Sequence, residues 1–439
     1  MKDRYGNAVS TASRQALEHF NQACELIRLY RGDPIAALDA ALEQDEQMSI
    51  AWAVRAALLA QTTDKMFAEE VRRSLRAAKA AGCNDRERAH IAAAQLWAEG
   101  RMREATIAYA KIAREHPRDL LAVQLGHTGC FFTGMQSDLR DIPLQALRAT
   151  AKNDDGYHAL LGMAAFGLEE CGDFDRAQAM GEEAVSIEPG DAWAVHAVAH
   201  VHEMRGDLEA GIPWLANSSD AWAPDNALAY HNWWHLALLH LDKGEIDETL
   251  RLYDKGVRPE QSDLVMEEVD ASALLWRLHL EGVDVSSRFA PLADTWKRAA
   301  EDGFYAFNDA HAIMAFIGAG RLDDARKTVA AMERALDRGG DNAMMTRDIG
   351  LPLGRALVDF AEGRFGQCAD AVLAVRPIAQ RFGGSHAQRD ILTLTALHAA
   401  IRGGETETAR ALSAERLTHK PHSPWARRLA QRIEQKQAA

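Results

Sequence analysis

Leu161, Ala165 and Leu168, then Gly172-Asp173-Phe174, then Ala177, Gly181, Ala184 and Pro189 decide how this chain is to be read. The order is an apolar stripe at helical spacing, a turn glycine, a small residue, a second stripe and a terminating proline. Small residues let two helices approach closely, and glycine reaches the left-handed backbone that a tight turn needs. The pattern is that of a 34-residue helix–turn–helix repeat of the tetratricopeptide type.

The turn glycine recurs at Gly32, Gly100, Gly134, Gly172, Gly206, Gly244, Gly282, Gly320, Gly363 and Gly404. From Gly100 onward the steps are 34, 38, 34, 38, 38, 38, 43 and 41 residues. Residues beyond 34 fit in loops between hairpins, where insertions cost little. The gap from Gly32 to Gly100 holds one degenerate unit around Trp52 to Cys83. The expectation is an all-α, right-handed α-solenoid of ten or eleven tetratricopeptide-type hairpins. An N-terminal arm (1–14) precedes one continuous array (15–430), and a frayed tail (431–439) follows it.

Composition agrees. Only 12 prolines occur in 439 residues, and the helix formers Ala, Leu, Arg and Glu dominate. A repeat array also escapes the size limit on a single core, because each unit packs only on its neighbours. The net charge of −14 repels phosphate, which argues against nucleic acid and anionic membranes as partners. Cys24, Cys83, Cys130, Cys171 and Cys368 are odd in number and scattered, as small hydrophobes of a reducing compartment would be. The N-terminus has no apolar leader and no long apolar run occurs, so a cytoplasmic protein is expected, compatible with a homo-oligomer.

In such hairpins the first helix faces the inner wall. With the turn glycine at unit position 15, positions 2, 5, 9 and 12 share that face. The unit ending at Gly206 places Trp193, His196, His200 and Glu203 there. The next unit adds His231, Trp234 and, one residue on, His235. Trp276, His311, His386 and Arg389 extend the candidate ligand wall through later units. His202, His240, Trp52, Trp97, Trp214 and Trp233 read as packing residues, and His90 as isolated.

His196/His200 and His231/His235 each have i,i+4 spacing, which sets both imidazoles of a pair on one helix face. His200, His231 and His235 are the candidate metal ligands, and a divalent transition metal is the cofactor that such donors select. Glu203 and His235 are the candidate catalytic pair, the carboxylate as base and the imidazole as an acid/base near neutral pH. No phosphate loop, nucleophile elbow or activated cysteine is evident.

The stretch His231-Asn232-Trp233-Trp234-His235-Leu236-Ala237-Leu238-Leu239-His240 resembles the tetratricopeptide repeat protein 38 family. Gly156-Tyr157-His158-Ala159, the run Ala199 to Met204, Arg86 to His90 and Gly384 to Asp390 also match that family's pattern. The resemblance spans residues 15 to 430 and implies a helical-repeat protein with no settled activity. The reading that ranks first is a binding protein that holds a small polar or aromatic ligand, or a short peptide, on a His/Trp-rich inner wall. A hydrolase or lyase using the same cavity, with or without a metal, ranks second, and a protein-interaction scaffold third.

Overall fold

The structure is a computed structural model that describes residues 1–260, 262 and 264–438. Among these residues it is helical throughout, with no strand beyond two isolated bridges. The helices pair as α1 (Arg14–Leu29) with α2 (Pro34–Gln44), α3 (Ser49–Gln61) with α4 (Ala68–Ala80), and α5 (Asp85–Ala98) with α6 (Met102–Glu115). Next come α7 (Leu120–Thr133) with α8 (Gln136–Leu147), α9 (Tyr157–Glu170) with α10 (Phe174–Ile187), and α11 (Ala192–Arg205) with α12 (Leu208–Ala216). After the short α13 (Ser219–Trp222), α14 (Ala229–Lys243) pairs with α15 (Ile246–Leu252), α16 (Val265–Leu280) with α17 (Ser286–Trp296), and α18 (Ala306–Gly318) with α19 (Leu322–Ala335). The short α20 (Gly340–Met345) leads to α21 (Leu351–Ala361) with α22 (Phe365–Val375), and α23 (His386–Gly403) pairs with α24 (Thr406–His419). The helix α25 (Pro424–Ala438) follows, and Ala439 of the tail lies outside the described residues.

This is a tetratricopeptide-like α-solenoid of eleven hairpins among the described residues. All ten turn glycines have positive φ, from 57° at Gly32 to 95° at Gly244. The degenerate hairpin is α3–α4, and it turns at Thr63, whose φ of 56° puts a β-branched residue in the same left-handed region. Helix starts are encoded by side chains: Ser13, Asp33, Asp119 and Asp207 accept from the first free N–H groups, while Asn84/Glu87 and Ser385/Gln388 form capping boxes.

Contacts divide the chain into two compact units, Met1–Val198 with Ser219–Ala229, and Ala199–Ser218 with Tyr230–Ala439. The division falls inside α11. In the first unit α3 packs on α5 and α7, and the core runs through Phe20, Leu38, Val54, Tyr109 and Phe166. Burying each such aromatic or Leu side chain stabilises by about 1.5–3 kcal/mol. The N-terminal arm is fastened to this unit: Tyr5 is buried, and Arg4 bonds Glu25 and Asp155. In the second unit α16 packs on α18 as a repeat should, and also on α23, far along the chain. The inner face of α16 is therefore covered by protein. No helix among the described residues is long and apolar enough to cross a membrane.

Candidate functional site

In the second unit, the latter half of α11 together with α14 and α16 carries a buried polar cluster. His200 leaves the second half of α11, and His231 and His235 leave successive turns of α14. The His235 ring centroid lies 4.5 Å from that of His200 and 4.8 Å from that of His231. One ring nitrogen of each of the three lies within 4.8 Å of the others. His200 and His235 are fully buried, while the His231 side chain keeps 10% of its surface.

Carboxylates orient two of the imidazoles. His235 Nδ1 lies 2.8 Å from Glu203 Oε2, and His231 Nδ1 lies 2.5 Å from Asp270 Oδ2. An ionised carboxylate accepts from an N–H, so it fixes the proton on Nδ1 and leaves the lone pair on Nε2. Burial, then the neighbouring imidazoles and the charges of Arg277 and Lys420, hold the pKa of His235 well below its ordinary value. Its ring is neutral, the form that binds a metal. Asp270 also accepts from Gln388 Nε2 at 3.3 Å, which ties α16 to α23 at this point.

A His–Asp bridge alone would not mark a site, because the first unit uses the same device for packing. His90 Nε2 lies 2.9 Å from Asp119 beside Arg86, and His158 Nδ1 lies 2.7 Å from Asp191. Each links one inner helix to the N-cap of a later one. His90 is thus a working member of a buried ion-pair network, not an isolated residue. In α14 and α11 the difference is that two bridged imidazoles and a third meet.

The remaining expected residues differ in their surroundings. Trp193 and His196 belong to the first unit, where Trp193 stacks on Tyr30 at 5.6 Å and His196 sits against Phe166 and Trp193. Trp234 is fully buried, stacked on His231 at 5.3 Å with the Arg277 guanidinium over its ring. Both indoles are therefore engaged by protein side chains. Trp276 is buried against His279 and Phe360, and its N–H donates to Thr395 Oγ1 at 3.0 Å. His311 lies on Phe307 and donates from Nδ1 to that residue's carbonyl. His386 and Arg389 are half-buried at the start of α23, and Arg389 donates to the Gly384 carbonyl. Gln388, between them, is the residue that reaches the cluster.

Two residues read as packing also touch polar surroundings. His240 keeps only 13% of its side-chain surface exposed, and its Nδ1 bonds Glu245 Oε2 at 2.6 Å, as a packing histidine with a satisfied nitrogen does. Trp52 is half-buried, packs against the core of the first unit, and borders an open groove of about 380 Å³ that Asp39, Glu43, Glu46, Arg55, Glu70 and Arg73 also line. Sequence reasoning did not reach Asp270 or Lys420. Asp270 had a signal, since it falls on the inner helix of the repeat after His231. Lys420 had none: it follows α24 in a polar stretch, yet its side chain is only 7% exposed, 3.7 Å from Glu203 Oε1.

No family model matches the chain. Among solved structures it is similar to a chain of the crystal structure of the APC/C hetero-tetramer Cut9-Hcn1, at 12% identity and a TM-score of 0.45, covering 95% of this chain and 76% of that one.

Proposed function

We propose that the second unit is a metal-binding helical-repeat module, in which His200, His231 and His235 hold a divalent transition metal that anchors a small polar ligand. The observation that supports this is the convergence of three imidazoles, two of them with Nδ1 on a carboxylate. Ring nitrogens of a tetrahedral Zn²⁺ site lie roughly 3.3 Å apart, from the usual Zn–N length. Each of the three histidines here offers a ring nitrogen, and these lie within 4.8 Å of one another. Three nitrogen donors leave a fourth position for a ligand, and a metal bound there supplies a Lewis-acid centre.

The chain's own residues have distinct parts in this reading. Glu203 and Asp270 are positioning residues that set the tautomers of His235 and His231. Gln388 holds Asp270 in place. Trp234 and Arg277 wall the histidines from solvent. The stretch that resembles the tetratricopeptide repeat protein 38 family, His231 to His240, supplies two of the three ligands.

Dialysis of the purified full chain against Zn²⁺, then against metal-free buffer, tests the reading. One metal per chain should be retained, and His235→Ala should abolish retention. Wild-type protein that retains no metal, or a His235→Ala variant that retains it fully, would remove the proposal.

A further inference from the structure

The first unit holds the N-terminal arm in the way a receptor holds a peptide. Side chains of the solenoid bond the arm's main chain. Arg118 Nε donates to the Tyr5 carbonyl at 3.0 Å, and Asn84 and Arg86 donate to the Ala8 carbonyl at 3.1 and 3.0 Å. Glu87 Oε1 accepts from the Ser10 amide at 2.8 Å. Two side chains of the arm add identity to these contacts. Arg4 bridges two carboxylates, Glu25 at 2.6 Å and Asp155 at 2.5 Å. Tyr5 is 4% exposed, and its hydroxyl accepts from Arg28 at 3.3 Å.

Departure of the arm would strand no buried charge in this socket. Glu87 would keep the Asn84 amide at 2.9 Å, Arg86 would keep Asp119 at 2.5 Å, and Arg28 would keep Asp155 at 2.6 Å. The main loss is the burial of Tyr5 and Val9. The arm in turn carries its own order. Asp3 Oδ1 accepts from the Tyr5 and Asn7 amides at 3.0 and 2.8 Å, and Gly6 between them turns the chain at a φ of 88°. A segment already shaped by its own bonds gives up little entropy when it docks.

We propose that this socket is a docking site for a turn of a partner protein that presents an Arg-Tyr pair, and that the arm occupies it in cis as a competitor. Charge complementarity selects the partner. Two carboxylates take the guanidinium, and a guanidinium takes the phenol oxygen, which Phe does not offer. The tether holds the arm at an effective concentration on the order of millimolar, so the partner gains access when the arm lifts. The arm of a second copy, equal in chemistry but untethered, competes poorly for the same reason.

Fluorescence anisotropy tests this with full-length chains and a labelled peptide of residues 1–13 as the probe. A chain carrying Tyr5→Ala has weakened its own arm and should bind the probe at least about tenfold more tightly than wild type does. Arg4→Ala in the chain should act in the same direction without touching the core, and carries the test if Tyr5→Ala does not fold. Adding Arg118→Ala to either chain should weaken the probe, and a Tyr5→Phe probe should bind less tightly than the natural one. Equal probe affinity for the wild-type and arm-weakened chains would overturn the inference. So would a Tyr5→Ala probe that binds as well as the natural one, since its charge is the same. Dimers of the wild-type chain that Tyr5→Ala abolishes, as sedimentation would show, would make a second copy the occupant and overturn the partner assignment. Hydrogen exchange of the wild-type chain gives an independent reading: the arm amides should exchange at least about 100-fold faster than those of α5 and α7, because the arm lifts without unfolding the unit. Exchange at the rate of those helices would also overturn the inference.

Discussion

Asp309 shows how far burial moves a single group. It lies in the first turn of α18, 5% exposed, and its Oδ2 has no hydrogen-bond partner among the described residues. Desolvation, reinforced by Asp302, raises its pKa to about 8. A carboxyl whose folded pKa is raised stabilises the fold relative to the unfolded chain only below the ordinary carboxylate range; that contribution is lost as pH climbs to about 8. Asp309→Asn should therefore stabilise the protein near neutrality, by roughly 1.4 kcal/mol for each pH unit above the unfolded pKa. Urea unfolding at pH 4.5 and pH 7.5 checks this: the gain should be small at the first and several kcal/mol at the second. An equal gain at both would show that titration is not the cause.

His127, buried in the first unit, runs the opposite way. Burial lowers its pKa to about 3, and its Nδ1–H donates to the Leu139 carbonyl at 3.1 Å. A histidine depressed in the fold lends stability above the unfolded value, and that stability drains away as pH falls below about 6.5. At the histidine cluster the residue to change is Asp270. Removing its charge with Asp270→Asn should weaken Zn²⁺ affinity by about 10- to 100-fold, the usual effect of losing a carboxylate behind a ligand histidine. Competition with a chromophoric chelator measures it, and unchanged affinity would mean that His231 is not a ligand.

At the level of elements, the hairpins were the legible part. A turn glycine is a local signal: the chain must reverse, only glycine does so without strain, and all ten sit at positive φ. Gly172 (φ 81°) has nothing within 4 Å of where a Cβ would stand, whereas a Cβ on Gly167 would run into the backbone of Arg140 on α8. Gly172→Ala should cost about 1–2 kcal/mol through the left-handed backbone alone. Gly167→Ala should cost more, because α8 must shift bodily. Urea midpoints of the two variants settle the order.

The inner face was legible too. The 3.6-residue period put His200, Glu203, His231 and His235 on facing surfaces, and they do meet. What covers that face was not legible. The packing of α23 on α16, and the arrival of Lys420 beside Glu203, join residues more than a hundred positions apart, and no periodicity encodes them. For the same reason Trp234 and Trp276 read as ligand platforms although both are buried among side chains.

Over the whole molecule, metal and structure should be linked within the second unit. A ligand that binds only the folded state at a thousandfold excess over its Kd adds about 4 kcal/mol. Zn²⁺ should therefore slow amide exchange in α11, α14, α16 and α23 while leaving α1 to α6 unchanged, as hydrogen-exchange mass spectrometry would read. Uniform slowing across both units would point to nonspecific binding by the acidic surface.

The account turns on three imidazoles sharing one ion, and X-ray absorption at the zinc edge of the loaded full chain examines that directly. The expected spectrum shows three histidine nitrogens at about 2.0–2.1 Å, with one further light ligand. A spectrum of carboxylate oxygens alone, or one unchanged by His200→Ala, would contradict it.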